Sequence, residues 1–142
     1  MIKAGIVGAT GYAGAELVRI LLGHPQAEIA AISSVSFEGK RLSDVYPAYY
    51  RLCDMTCGTQ DEVVEKSDIV FAALPHGLSQ DLAKQCFDAG KVFIDLGADF
   101  RLEDEADYQE WYGGDFKFRE LHEISVYGLP ELFREQIKGK KV

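Results

Sequence analysis

The sequence predicts an α/β fold with a doubly wound, mostly parallel sheet and helices on both faces. Segments of strand-like and helix-like hydrophobic periodicity alternate along most of the chain. Several strand segments are apolar almost without interruption, as expected when both faces of a sheet are covered. A glycine-rich turn also joins the first strand to the first helix, and this arrangement is typical of the Rossmann type.

The N-terminal segment contains a strand, a glycine turn and a helix in that order. The apolar run Ile2–Val7 predicts the first strand, and the apolar stripe of Tyr12–Leu22 predicts the first helix. Glycines without a Cβ let the backbone turn tightly and approach a phosphate. The unpaired N–H groups and the positive end of the helix dipole then face the anion.

This turn is the first candidate site for a dinucleotide pyrophosphate. Its spacing is Gly-x-x-Gly-x-x-Gly rather than the commoner Gly-x-Gly-x-x-Gly, so an ordinary strand–helix turn is the alternative. Its position directly after an apolar strand favours the dinucleotide. The predicted cofactor contacts are Gly8, Ala9, Thr10, Gly11, Tyr12, Ala13 and Gly14.

The later segments continue the alternation of strands and helices. Further strands are predicted at Glu28–Ser33, Leu52–Thr56, Asp68–Leu74, Lys91–Leu96 and Ser125–Tyr127. Further helices are predicted at Thr59–Lys66, Ser79–Ala89, Asp104–Tyr112 and Pro130–Lys138. The irregular stretch Phe37–Tyr50 predicts a surface excursion, and Gly90 is placed to end a helix in the left-handed conformation.

Length and composition indicate a single globular domain over residues 1–142. Hydrophobic residues make up 47% of the 142, which is enough for a packed core. The formal net charge of −8 argues against a nucleic-acid or anionic-membrane partner, although local N–H groups can still hold an anion. Glycines interrupt any signal-peptide core, and no apolar run approaches a membrane span, so we expect a cytoplasmic protein.

The cysteines predict neither a disulfide framework nor a metal site. An odd count of three without a secretion signal argues against disulfides, and Cys53 and Cys57 have no nearby histidine to complete a zinc site. Cys86 lies on the apolar face of a predicted helix and is expected in the core. No cysteine has an evident activating base, so we do not expect any of the three to be a nucleophile.

The end of the second strand indicates which dinucleotide is preferred. An NAD site usually has an acidic residue there, about 20 residues beyond the glycines, to accept from the ribose 2′-hydroxyl. Here Ser33 and Ser34 take that place without an acid nearby, and Lys40 or Arg41 supplies positive charge. We therefore predict NADP as the cofactor, with contacts from both serines. The alternative is a serine turn without a cofactor role.

The segment after the strand at Asp68–Leu74 is a second candidate loop. The carboxyl ends of parallel strands form the ligand crevice in such sheets. The predicted cofactor contacts here are Leu74, Pro75, His76 and Gly77. The histidine either touches the pyrophosphate or nicotinamide, or only caps the following helix.

The segment after the strand at Lys91–Leu96 is a third candidate loop. Gly97 and Ala98 are small enough to pack against a nicotinamide ring and are predicted as cofactor contacts. Arg101 suits bidentate binding of a phosphate or carboxylate and is predicted to contact substrate. The alternative is an ion pair of Arg101 with Asp99 or with the acidic stretch 103–107.

These motifs together resemble the N-terminal part of the N-acetyl-gamma-glutamyl-phosphate reductases of arginine biosynthesis. Their combination and order, rather than any single motif, carry the resemblance, which spans nearly the whole chain. The motifs are Gly8 to Leu17, Leu74 to Gly77, Asp95 to Leu102 and Tyr127 to Leu132. One departure is Val35, because an arginine is often found near the second-strand serines in that family.

The resemblance implies a two-domain enzyme with a Rossmann NADP domain and a catalytic α/β domain. Such an enzyme reduces N-acetyl-glutamyl 5-phosphate to the semialdehyde and releases phosphate, using a cysteine nucleophile and a histidine acid/base. The cysteine belongs to an Asn-Pro-Gly-Cys motif that residues 1–142 lack. We therefore expect an N-terminal cofactor domain that is inactive alone, from a longer protein that is a homo-oligomer acting on a small acyl phosphate.

Three alternatives remain beside this family. Aspartate-semialdehyde dehydrogenase shares the fold and the chemistry, and a relative acting on the aminoadipyl analogue is also possible. A non-catalytic NADP-sensing module is an alternative of a different class. The residues after 142 would decide, since the last five predict a turn that opens a further strand.

Overall fold

The computed structural model describes all of residues 1–142 and contains one sheet of five parallel strands. The strands are β1 (Ile2–Val7), β2 (Ala27–Ser33), β3 (Cys57–Gly58), β4 (Ile69–Ala72) and β5 (Val92–Asp95). Their order across the sheet is β3-β2-β1-β4-β5, and every pairing is parallel. The predicted Rossmann-type sheet is confirmed.

Seven helices accompany the sheet. They are α1 (Tyr12–Leu22), α2 (Leu42–Val45), α3 (Gln60–Lys66), α4 (Ser79–Asp88), α5 (Glu105–Tyr112), α6 (Arg119–Ile124) and α7 (Pro130–Ile137). Gly90, with φ +71°, follows α4 in the predicted left-handed conformation. None of the helices has the length and apolar character needed to cross a membrane.

Two hydrophobic cores cover the two faces of the sheet. Ile6 of β1 belongs to the core that also contains Val18 of α1. The next residue, Val7, belongs to the other core, with Val63 of α3 and Leu82 of α4. Successive strand residues point to opposite faces, so an uninterrupted apolar strand serves both cores at once.

The strand order places a crevice at the carboxyl edge of the sheet. The chain proceeds outward from β1 through β2 to β3, and then returns to β4 and β5 on the other side of β1. The connections after β1 and β4 therefore leave the sheet in opposite directions, and ligands of such sheets bind at this switch point.

The predicted strand Leu52–Thr56 is wrong. The N–H groups of Leu52 and Cys53 both donate to the carbonyl of Tyr49, at 2.9 Å each, which holds these residues in a turn. The third strand is instead the two-residue β3, in which Cys57 pairs with Ile32 of β2. Because backbone hydrogen bonds hold residues 52 and 53 in a turn, the third strand begins later in the sequence than predicted.

The predicted strand Ser125–Tyr127 is also wrong. The N–H of Ser125 donates to the carbonyl of Leu121 at 3.0 Å and so closes α6, a helix that the sequence did not predict. The N–H of Val126 donates to the carbonyl of Val142 at 3.3 Å outside any sheet. This segment therefore connects α6 to α7.

The stretch Phe37–Tyr50 is more than a surface excursion. Leu42 at the start of α2 is completely buried in the core beside α1. The hydroxyl of Tyr46 donates to the carbonyl of Thr10 at 2.7 Å, and that of Tyr49 to the carbonyl of Ala15 at 2.5 Å. The segment is therefore fastened to the glycine turn and to α1.

Candidate dinucleotide site

Two of the three turn glycines are required by the packing of the protein itself. Gly8 has φ +86°, and a Cβ there would lie 2.4 Å from the carbonyl oxygen of Ala73. A Cβ on Gly14 would lie 2.2 Å from the carbonyl oxygen of Gly8. Both distances are far below van der Waals contact, so no side chain fits at either position.

Gly11 differs because the protein leaves space around it. A Cβ there would meet only the carbonyl oxygen of Gly8, at an ordinary 3.5 Å, and the residue is exposed. Gly11 is the N-cap of α1, and no side chain caps that terminus. The first N–H groups of a helix have no intrahelical partner, so this terminus fits a bound anion such as a pyrophosphate.

Hydrogen bonds to the end of β2 hold the glycine turn in place. The N–H groups of Gly8 and Ala9 donate to the carbonyl of Ser33 at 3.1 and 3.0 Å. The hydroxyls of Thr10 and Ser34 lie 2.5 Å apart, which ties the end of β2 to the turn. A site held in its binding geometry before the ligand arrives loses less entropy on binding.

Ser33 and Ser34 lie beneath the surface of this site. Both residues are 5% exposed, and the Ser34 hydroxyl is already paired with that of Thr10. The adjacent Val35 is 95% exposed. The two serines therefore stabilise the glycine turn from inside the protein, whereas Val35 faces solvent.

The loops after β4 and β5 meet each other at the same edge of the sheet. The Cβ position of Gly97 lies 3.3 Å from the carbonyl oxygen of Leu74 and 3.0 Å from Oδ1 of Asp95, so a side chain would push the loops apart. Ala98, the next residue, is buried. The structure thus brings together all three predicted loops, because Gly8 also packs on Ala73.

The exposed part of the second loop is Pro75, His76 and Gly77. Gly77 has φ +85°, and the His76 ring lies 5.7 Å from the ring of Tyr112. His76 forms no hydrogen bond to α4, whose first N–H donates to the Asp99 carboxylate instead, so the interpretation of His76 as a helix cap is wrong. The histidine stays at the mouth of the crevice.

Arg101 forms neither of the ion pairs that were the alternative to its predicted substrate contact. Its Nη2 donates to the carbonyl of Gly97 at 2.8 Å, and it forms no salt bridge with Asp99 or with the acidic stretch. The residue lines a cavity of about 350 Å³ between β5 and the connection from α6 to α7. Tyr127, from the fourth sequence motif, lines the same cavity. Arg101 therefore has a guanidinium edge near an open, mostly apolar space.

Sequence reasoning missed the roles of two acidic side chains, the partly buried Asp95 at the end of β5 and the buried Asp99 in the loop after it. Asp95 accepts from the Ser79 hydroxyl at 2.8 Å and from the Gly97 N–H at 2.9 Å. Burial raises the pKa of the Asp95 carboxyl, although these hydrogen bonds oppose the shift. Asp99 is completely buried and was considered only as a partner for Arg101. The only sequence signal was an acid between two residues of apolar type, Ala98 and Phe100.

The thiols and the partly buried His122 form no activated nucleophile and no cluster of metal ligands. All three cysteines are free and buried, and Cys86 lies in the core as predicted. Burial raises the pKa of Cys86 to about 12 and also raises that of Cys57, which disfavours a thiolate. His122 is stacked between Phe100 and Phe116, and burial lowers its pKa. No group of three or more candidate metal ligands occurs.

The sheet order and the open terminus of α1 define a Rossmann domain, of the type that binds dinucleotides. Residues 3–140 match the family described as "Semialdehyde dehydrogenase, NAD binding domain". The chain belongs to this family.

Curated relatives share the full extent of the chain. An N-acetyl-gamma-glutamyl-phosphate reductase from Clostridium beijerinckii is 56% identical over 138 residues, which cover 97% of this chain and 40% of that protein. The protein of the same name from Brachyspira hyodysenteriae is 46% identical, covering 99% of this chain and 40% of the relative. The chain thus spans about two fifths of the length of the relatives it matches.

Solved structures support the fold. Aspartate semialdehyde dehydrogenase with NADP from Candida albicans aligns with a TM-score of 0.63 and 26% identity, covering 74% of this chain and 32% of that one. An NAD-binding protein from Listeria innocua aligns with a TM-score of 0.51 and 22% identity, covering 66% and 26%. The second likeness concerns the fold alone.

Proposed function

We propose that this chain is the NADP-binding domain of an N-acetyl-gamma-glutamyl-phosphate reductase, whose catalytic domain lies outside residues 1–142. The observation that carries the proposal is the uncapped N-terminus of α1 at Gly11, open to the crevice. Relatives bearing that name are 46–56% identical to this chain, whereas the aspartate semialdehyde dehydrogenase is 26% identical. These identities favour the reductase over the dehydrogenase.

In this proposal each loop at the carboxyl edge has one task. The N–H groups at the start of α1 bind the pyrophosphate, and Gly11 lets it approach the backbone. The loop from Pro75 to Gly77 and the backbone at Gly97 form the surface that receives the nicotinamide half. NADPH, when bound, supplies hydride for reduction of N-acetyl-glutamyl 5-phosphate to the semialdehyde with release of phosphate. Arg101, beside the cavity at β5, orients the phosphate of that substrate.

The preference for NADP over NAD rests on charge at the end of β2. No carboxylate lies between residues 30 and 37 to accept from a ribose 2′-hydroxyl. Arg41 is engaged by Asp44, with Nη2 and Oδ1 2.9 Å apart, whereas Lys40 is exposed and forms no salt bridge. Lys40 is therefore the free cation in the loop that follows β2 and Ser34.

We expect Lys40→Ala to weaken NADPH binding about tenfold and to leave NADH binding unchanged, since only NADPH carries the 2′-phosphate. Isothermal titration of both cofactors into both proteins measures this. Lys138→Ala is the matched control, because it removes the same charge from the residue after α7, where Lys138 pairs with Glu135. Tighter binding of NADH than of NADPH by the unaltered chain would contradict the NADP assignment.

We expect the 142-residue chain to bind NADPH but not to reduce N-acetyl-glutamyl 5-phosphate. The sequence lacks the Asn-Pro-Gly-Cys motif, and its own cysteines are buried. The measurement follows NADPH oxidation with the acyl phosphate, and the full-length Clostridium beijerinckii protein serves as the positive control. Turnover by the purified chain would show that a nucleophile lies within residues 1–142.

A further inference from the structure

Asp99 joins two loops of the crevice through a completely buried carboxylate. Oδ1 accepts from the backbone N–H of Gly77 at 2.6 Å, and Oδ2 accepts from the backbone N–H of Ser79 at 2.8 Å. These bonds cross from the loop after β5 to the loop after β4. A buried carboxylate is tolerated only when its oxygens are satisfied in this way.

The Asp99 carboxylate also occupies the N-terminus of a helix. Ser79 is the first residue of α4, and no side chain of that helix caps it. A carboxylate at this position is stabilised by the unpaired N–H groups and by the helix dipole. The two helix N-termini at the crevice therefore differ: α1 is open to an external anion, and α4 is filled by an internal one.

Helix α5 holds the same loop at two further points. The hydroxyl of Tyr108 donates to Oδ1 of Asp99 at 2.9 Å, and Tyr108 is 1% exposed. Burial and the nearby carboxylate raise the pKa of Tyr108, so its hydroxyl remains a donor at physiological pH. One turn later, the ring of Tyr112 contacts His76. The segment from His76 to Ser79 is thus held by the Asp99 carboxylate through its backbone and by Tyr112 of α5 through the His76 ring.

We infer that Asp99 is a positioning residue for the nicotinamide half of the cofactor, acting through the backbone of Gly77 and Ser79 and supported by Tyr108. The inference rests on the proposed function. In a Rossmann domain the β1–β2 side of the switch point takes the adenosine half, so the loops after β4 and β5 face the other mononucleotide. Loosening of the Asp99 contacts therefore affects one half of the ligand only.

Two substitutions distinguish the role of the Asp99 carboxylate from that of the Tyr108 hydroxyl that supports it. In Asp99→Asn, the amide oxygen keeps the bonds on one side, but the NH₂ group then faces another N–H donor, so one loop contact is lost. Tyr108→Phe removes one donor to Asp99 and leaves both backbone bonds in place. The asparagine variant is therefore expected to have the larger effect.

The experiment compares whole and half ligands on the 142-residue chain. We expect Asp99→Asn to weaken NADPH binding about tenfold, the effect of losing about one charge-assisted hydrogen bond, and to leave adenosine 2′,5′-bisphosphate binding unchanged. Tyr108→Phe should cause a smaller loss for NADPH alone. Hydrogen exchange in the free protein should become faster at the Gly77 and Ser79 amides of Asp99→Asn.

Thr59→Ala is the control for general loss of stability. Thr59 caps α3, where its hydroxyl accepts from the N–H of Glu62 at 3.2 Å, and α3 contacts β1 and β2. Loss of such a cap lowers the stability of the fold. This variant should bind both ligands as the unaltered chain does.

The outcomes distinguish the inference from the proposed function. Equal losses for both ligands, unchanged NADPH affinity in both variants, or unchanged exchange at Gly77 and Ser79 would each overturn the positioning role. Failure of the unaltered chain to bind NADPH would instead overturn the proposed function. If Asp99→Asn does not fold, the NADPH-specific loss in Tyr108→Phe decides.

Discussion

Gly14→Ala is expected to destabilise the whole domain, whereas Gly11→Ala is expected to keep the fold and weaken cofactor binding. At Gly14 the new Cβ would lie 2.2 Å from the carbonyl oxygen of Gly8 and 2.8 Å from Cα of Ala9. These are backbone atoms of a turn that is itself bonded to β2, so they cannot move aside as a flexible side chain would. Overpacking of this kind costs about 3 kcal/mol.

Gly11 has an ordinary backbone conformation, with φ −75° and ψ 167°, which alanine adopts easily. Replacing an N-cap glycine by alanine costs about 1 kcal/mol or less. The added methyl group would, however, stand at the start of α1, where we propose that the pyrophosphate binds. We expect NADPH affinity to fall at least about tenfold, because the ligand loses its close backbone contacts.

Urea unfolding and NADPH titration of both variants test this contrast. Each variant is the control for the other, since the chemical change is the same and the positions are three residues apart. Wild-type stability of Gly14→Ala would contradict the close packing of α1 on the turn. If Gly11→Ala binds NADPH as tightly as the wild type does, the start of α1 is not the anion site.

The features that the sequence predicted well depend on neighbouring residues. Helix α1 has the predicted bounds Tyr12–Leu22, because its apolar stripe and the glycines on either side are local signals. The strands β1 and β4 were found because both of their faces pack against a core, which leaves an apolar run in the sequence. Strand β5 has a similar apolar run, although only Phe93 lies in a core and Ile94 is exposed. Their parallel arrangement then follows from the helices between them.

The features that the sequence could not predict depend on distant contacts. Strand β3 has only two residues, so it carries no detectable periodicity. Asp99 resembles any other acidic loop residue until the fold places Gly77 and Tyr108 beside it. Ser34 matches the position of a cofactor contact, but its burial depends on Thr10, which lies 24 residues away in the sequence. Each of these cases requires a tertiary partner that no short motif reveals.

Helix α6 is the largest feature that the sequence missed, and Leu121 tests its contribution. Leu121 is completely buried in the same core as Val70 and Phe93, the residues that form the centres of β4 and β5. Leu121→Ala should lower the unfolding free energy by about 3 kcal/mol, because it removes buried methyl groups and leaves a cavity. Chemical denaturation monitored by circular dichroism measures the change.

Leu132→Ala is the matched control for Leu121→Ala, since the same atoms are removed from a side chain of α7 that is 71% exposed. Its effect should remain within about 0.5 kcal/mol, as for most surface substitutions. Similar stability of both variants would mean that α6 packs only loosely on the sheet. A large loss for Leu121 alone would show that residues 119–124 belong to the core that supports β4 and β5. The loops carrying His76, Gly97 and Asp99 begin at the ends of those two strands, so the same helix helps to hold both loops in place.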